Sequence, residues 1–235
     1  AQMLSRRALF QTAAAGVAAA AVTAPMSGPA LAAGHEKVED MTHELHEDFP
    51  TYFGDQQFFR EQKFKVKDTG FNLVEVRVNE HTGTHVDAPL HFTEDGQSVA
   101  EIPLANLICP LCVIDVKAKA AENADYQVTP DDVKAWIAAN GPIPDKACIA
   151  MNSGWADHVG TEKFRGADAE KKMHFPGFHI EATKMLLETG AVGMAVDTLS
   201  LDYGQSADFA THYAWLPTSR WGIENLANLD AVPAK

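Results

Sequence analysis

Between His81 and Phe92 the chain reads His-Thr-Gly-Thr-His-Val-Asp-Ala-Pro-Leu-His-Phe, which gathers three histidines and an aspartate into one short segment. Neutral imidazole nitrogens and a carboxylate oxygen are the donors that zinc and manganese take as ligands. The spacing His81-x3-His85-x-Asp87 can bring three ligands to one face of an ion and leave other positions open to water. An ion with open positions is a catalytic one, and the chemistry it serves is metal-assisted hydrolysis. His-x3-His also arises as two solvated side chains one turn apart on a surface helix. Here Thr82, Gly83, Thr84, Val86 and Pro89 disfavour or forbid that helix.

The elements around the segment must then position it. Phe71, Leu73, Val74, Val76 and Val78 nearly alternate with Asn72, Glu75, Arg77 and Asn79, which predicts a strand. The histidine cluster would sit on the turn leaving that strand, where a rigid sheet presents ligands from a loop. Thr129-Pro130-Asp131-Asp132 supplies a cap, a first-turn proline and acidic side chains for a helix whose stop is Gly141. A second helix is expected from Ile180 to Glu188, ending at Gly190. Short apolar runs at Leu107–Val116, Ala147–Met151 and Val192–Val196 predict core strands. Strands outnumber helices, so the fold class is an α/β or α+β domain around a mixed sheet.

The chain has 235 residues, 46% of them hydrophobic and 22% charged, enough for one domain with a substantial core. Residues 1–32 differ from the rest. Arg6 and Arg7 precede an uncharged, alanine-rich stretch that ends in Ala30-Leu31-Ala32, a small-residue cleavage pattern. This predicts a twin-arginine-type export signal and a periplasmic protein, with the domain proper over 33–235. A membrane anchor fits less well, because the stretch is weakly apolar and broken by Pro25 and Pro29. Removing the signal takes two arginines and no acid, leaving 17 basic and 32 acidic side chains and a formal charge of −15. Such a body excludes nucleic acid and anionic membrane as partners. Cys109, Cys112 and Cys148 are an odd count; Cys109-Pro110-Leu111-Cys112 imitates a redox pair but lies in an apolar run, so buried free thiols are expected.

The motif His81–Phe92 resembles that of the cyclase family, which includes bacterial kynurenine formamidase and isatin hydrolase. His174-Phe175-Pro176-Gly177, Val196-Asp197-Thr198-Leu199-Ser200-Leu201-Asp202 and Glu224-Asn225-Leu226 are similar to further family segments and occur in family order. The resemblance implies a single-domain, mixed-sheet swivelling β/β/α fold, assembled as a homodimer. It also implies that the domain is C-terminally incomplete, since similar proteins continue beyond Leu229. By resemblance His81, His85 and Asp87 hold a first zinc or manganese ion, His212 and Glu224 hold a second, and Asp87 bridges them. Read alone, His212 is an ordinary histidine. Isatin hydrolase-like members resemble one-manganese sites, so His212 and Glu224 favour the two-metal, formamidase-like branch. His91, four residues after Asp87, is assigned the proton shuttle, with a fourth ligand or an orienting residue as its alternatives. Phe92 and Trp155 are candidate substrate contacts, with Tyr213 and Trp215 behind them. The function implied is hydrolysis of a small-molecule amide, of the N-formylkynurenine type. An isatin-like cyclic amide or lactone is the alternative substrate, and a non-catalytic periplasmic metal-binding protein is the alternative function.

Overall fold

The computed structural model describes residues 38–235, so the expected export signal at 1–32 lies outside the described residues. Strands β1 (Phe58–Phe64) and β2 (Leu73–Val78) pair antiparallel as a ribbon, joined through the one-turn helix α1 (Val66–Thr69). The alternation at 71–78 does mark a strand. It does not mark a buried face, since Val76 and Val78 remain 55% and 48% exposed.

The chain then turns through His81 and enters strand β3 (His85–Asp87), followed by a single 3-10 turn at Pro89–His91. This corrects the expectation that the whole cluster rides on a turn: His81 does, but His85 and Asp87 are strand residues.

The rest alternates strand and helix. Strand β4 (Leu111–Asp115), helix α2 (Lys117–Glu122), strand β5 (Gln127–Val128), helix α3 (Pro130–Asn140) and strand β6 (Cys148–Asn152) come first. Helix α4 (Glu162–Arg165), strand β7 (Gly177–Phe178), helix α5 (Ile180–Leu187), strand β8 (Gly193–Val196), helix α6 (Ala210–Trp215) and strand β9 (Trp221–Glu224) follow. The main sheet has the order β3-β9-β8-β6-β4, with β4, β6, β8 and β9 parallel and β3 antiparallel at its edge. Strands β5 and β7 form a separate parallel pair. Glu39–Lys235 form one compact unit, a single mixed α/β domain as the resemblance implied.

Local chemistry explains the helices. Thr129 and Asp132 form a reciprocal capping box at α3, Pro130 occupies its first turn, and Gly141 ends it at φ 84°. Helix α5 takes its cap from His179, whose Nδ1 accepts the Glu181 backbone N–H at 3.2 Å. Strands β6 and β8 are buried along their whole length, so they read as continuous apolar runs rather than alternations. One core, with Ile114, Val133, Trp136, Ile149, Met151 and Met194, packs α3 and α5 onto one sheet face. Val113, Cys148, Ala150, Ala195 and Trp221 belong to a second cluster on the opposite face. The expected strand at Leu107–Val116 is shorter, because Leu104–Asn106 form a 3-10 turn and pairing with β6 begins at Leu111. The three thiols are free, with Cys112 and Cys148 buried and Cys109 half-buried.

Candidate metal centre and aromatic pocket

Strands β3 and β9 build the floor of the site. Their register sets His85 opposite Glu224 and Asp87 opposite Gly222. Side chains two apart on a strand share a face, so His85, Asp87 and Glu224 all project to one side. A Cβ on Gly222 would lie 2.9 Å from Leu201 Cδ1 and 3.4 Å from Asp87 Cβ, so the glycine leaves the space that Asp87 uses. His81 comes from the turn before β3. Its backbone N–H is fixed by Asn79 Oδ1 at 2.9 Å. His212 comes from the short helix α6.

These groups converge tightly. His81 Nδ1 lies 3.1 Å from His85 Nε2, and the two nitrogens stand 3.0 and 3.2 Å from Asp87 Oδ1. The other oxygen, Oδ2, faces His212 Nε2 at 3.4 Å. Glu224 joins both halves, Oε2 at 3.4 Å from His85 Nε2 and Oε1 at 3.2 Å from His212 Nε2. Close as they are, neither Asp87 oxygen receives a directed hydrogen bond, although both are buried. Buried carboxylate oxygens without aligned donors are costly unless a cation meets them. Ligands about 2.1 Å from one ion stand about 3.0 Å apart at right angles and about 3.4 Å apart at tetrahedral angles, the range observed around the two Asp87 oxygens. The donor set and its geometry therefore fit zinc or manganese, with Asp87 placed to face two positions at once. His81, Asp87 and His91 form one group of close ligand atoms, and His85, Asp87 and Glu224 another.

The electrostatics agree. Burial opposes a charged His85, but the Asp87 and Glu224 carboxylates outweigh it and raise its pKa to about 9. Burial likewise opposes a charged His212, and Asp202, Asp87 and Glu224 outweigh it. Burial raises Glu224, and the adjacent Asp87 carboxylate adds to the effect. Burial would also raise Asp87, but its three histidine neighbours hold it well below the usual carboxylate range. His85 and His212 thus hold protons where a divalent ion would place its charge. His91 differs: burial lowers its pKa to about 4, so its imidazole stays neutral.

Beside the cluster opens a cavity of about 120 Å³ lined by Tyr52, Phe53, Phe92, Leu199, Ser200 and Phe209, with His81, His91, His212 and Glu224 at its end. Phe92 lies 4.6 Å from the His212 ring and 5.7 Å from Phe209, and Phe209 lies 6.1 Å from Tyr52. A second, larger groove also reaches the cluster, along Glu80, Val86, Leu90, His91 and Val99.

His81, His85, Asp87, His91, Phe92, His212 and Glu224 are all brought together. Trp155 is not. It is 2% exposed, packs with Phe164, Met173, Phe175 and Leu199, and donates its indole N–H to Phe164 O at 2.9 Å. It braces the pocket from behind through Leu199 rather than lining it. Trp215 is a core residue, and Tyr213 lies 62% exposed outside the lining. Tyr52, Phe53 and Phe209 were missed, since they carry no periodicity or motif that singles them out. Asp202 ends the Val196–Asp202 segment, whose sequence alone assigns it no role.

Residues 39–203 match the family model described as "Putative cyclase". The isatin hydrolase of Roseibium aggregatum is 33% identical over 168 residues, which cover 67% of this chain and 63% of that protein. The chain therefore spans somewhat less than two thirds of that relative. The kynurenine formamidase of Salinibacter ruber is 27% identical over 174 residues, 72% of this chain and 71% of that protein. Among solved structures, isatin hydrolase A from Ralstonia solanacearum superposes with a TM-score of 0.82 at 34% identity, covering 92% of this chain and 90% of that one.

Proposed function

The chain belongs to the cyclase family, and we propose that it is a metal-dependent hydrolase of aryl amides, with a cyclic amide of the isatin type as its first substrate. The observation that carries this reading is the convergence of His81 Nδ1, His85 Nε2 and Asp87 Oδ1 within 3.0–3.2 Å of one another at the end of an aromatic pocket. The higher identity to the isatin hydrolase, 33% over 168 residues, and the 0.82 TM-score of a solved one support the cyclic substrate.

His81, His85 and Asp87 would hold one zinc or manganese ion, and Asp87, His212 and Glu224 a second. Bound there, such an ion acidifies water and polarises an amide carbonyl. The chain's own residues supply the rest. Phe92, Phe209 and Tyr52 grip an aryl plane and keep bulk water from it. His91, neutral and exposed at the mouth of the site with its ring 4.1 Å from that of His81, takes the proton released as water attacks the carbonyl carbon. It returns that proton to the amide nitrogen as the C–N bond breaks, so protons balance within one turnover.

A formyl-aryl amide is the second reading, favoured by one observation: His212 and Glu224 do reach the cluster, as the two-metal, formamidase-like ligand set requires. The uncharged stretch after Arg6-Arg7 supports action in the periplasm. A metal-reconstituted protein assayed against isatin and N-formyl aryl amides separates the readings. Ring opening of isatin with a higher kcat/KM supports the first, and preference for the formyl amide the second. Tight metal binding without turnover of either would leave a metal-binding protein with no catalytic role.

A further inference from the structure

Helix α6 begins without a cap of its own. Its N-cap residue Phe209 sits in the left-handed region at φ 49° and offers no side-chain acceptor. The missing acceptor comes from Asp202, which precedes the helix by eight residues. Asp202 Oδ1 accepts the Thr211 backbone N–H at 2.8 Å and the Ser206 hydroxyl at 3.3 Å. Oδ2 accepts the His212 backbone N–H at 3.1 Å and the ring Nδ1–H of His212 at 2.6 Å. Both side chains are almost fully buried, at 4% and 3% exposure. Three N–H donors, and a hydroxyl shared with Asp208 Oδ1 at 3.2 Å, thus meet the two oxygens of one carboxylate, and an amide could not accept at both positions.

From this geometry we infer that Asp202 is the positioning residue that keeps the Nε2 lone pair of His212 free for a metal ion, and so governs occupancy of the second ion position. The inference rests on the metal-hydrolase reading above. With Nδ1 donating to Asp202, Nε2 is left facing Asp87 Oδ2 and Glu224 Oε1. An imidazole whose outer nitrogen is fixed by a carboxylate has its ligating nitrogen, tautomer and ring plane set together. An asparagine cannot do the same here. If its oxygen kept Nδ1–H, its NH2 would face the Thr211 N–H, donor against donor. Were it to turn, the NH2 would donate to Nδ1 and move the ring proton to Nε2, where it blocks the metal.

The test is zinc titration of the wild type, Asp202→Asn and Ser206→Ala proteins, with proton NMR of the same proteins free of metal. Ser206→Ala removes one donor to Oδ1 and leaves the ring contact intact. The wild type should bind two zinc equivalents and show a far-downfield Nδ1–H resonance assignable to His212. Asp202→Asn should lose that resonance and weaken the second equivalent about 10- to 100-fold, leaving the first unchanged. Ser206→Ala should keep both properties. Two zinc equivalents of wild-type affinity in Asp202→Asn would overturn the inference. So would equal weakening of both equivalents with a large fall in Tm, which would make Asp202 a helix cap and nothing more. A wild type that shows the resonance but binds no second zinc would overturn the metal reading, and Asp202's role with it, for a cause the resonance identifies.

Discussion

His81 and His91 face each other with ring centroids 4.1 Å apart, yet the site asks different things of them. His81 presents Nδ1 to Asp87 Oδ1 and His85 Nε2, as a ligand would. His91 makes no such directed contact with Asp87, and burial leaves it neutral, as a proton carrier must be. The substitution His85→Ala removes a nitrogen at the centre of the cluster, so it should abolish both metal binding and turnover. His91→Ala should keep its metal by elemental analysis and lose roughly a hundredfold or more in kcat. If the His91 variant loses metal as readily as the His85 variant, His91 is a ligand and the shuttle lies elsewhere.

Strand ends organise the site at the next scale. Asp197 closes β8 and is fully buried, accepting the Ser153 N–H, the Ser153 hydroxyl and the Trp155 N–H. Burial raises its pKa to about 6 despite those bonds. A carboxyl whose folded pKa exceeds its unfolded value makes the folded state bind more protons, so stability falls as pH rises from about 4 to about 6 and is level above. A shift of this size corresponds to about 3 kcal/mol. The stability difference between the wild type and Asp197→Asn, from urea unfolding at several pH values, should therefore move against the wild type by that order across the window. A constant difference would show that Asp197 titrates normally. Helices α3 and α5 were legible because their signals are local: Thr129, Pro130, Asp132 and Gly141 announce α3 within thirteen residues. Strand β1 was not, because Arg60-Glu61-Gln62-Lys63 interrupts any apolar alternation and its pairing is with β2 alone. The first ligands were legible for the same local reason. His212 and Glu224 needed the family motif, since the β3–β9 pairing that unites Glu224 with His85 leaves no trace in spacing. The aromatic pocket draws on segments near residues 52, 92 and 209, which only the tertiary fold brings together.

Across the whole molecule, apolar side chains remain uncovered in two places. The β1–β2 ribbon exposes Phe64, Phe71, Leu73, Val76 and Val78, and the region beside β3 exposes Leu90, Val99, Leu104 and Ile108. Exposed apolar patches of this kind mark interaction surfaces, and two on one chain suit a second copy. The protein should therefore sediment as a homodimer, and Val76→Lys combined with Val78→Lys should shift it to monomer without altering its far-UV spectrum; a monomeric wild type would contradict this. Among the described residues no helix is long and apolar enough to cross a membrane. The central claim is that amide cleavage depends on an ion held by His81, His85 and Asp87. Its most direct test is isatin and formyl-aryl amide turnover by one preparation before chelation, after chelation, and after return of manganese or zinc. The account predicts loss of turnover on chelation and its recovery with the ion in wild type, and no recovery in His85→Ala. Turnover that survives complete removal of metal, or fully loaded protein that cleaves none of these amides, would contradict it.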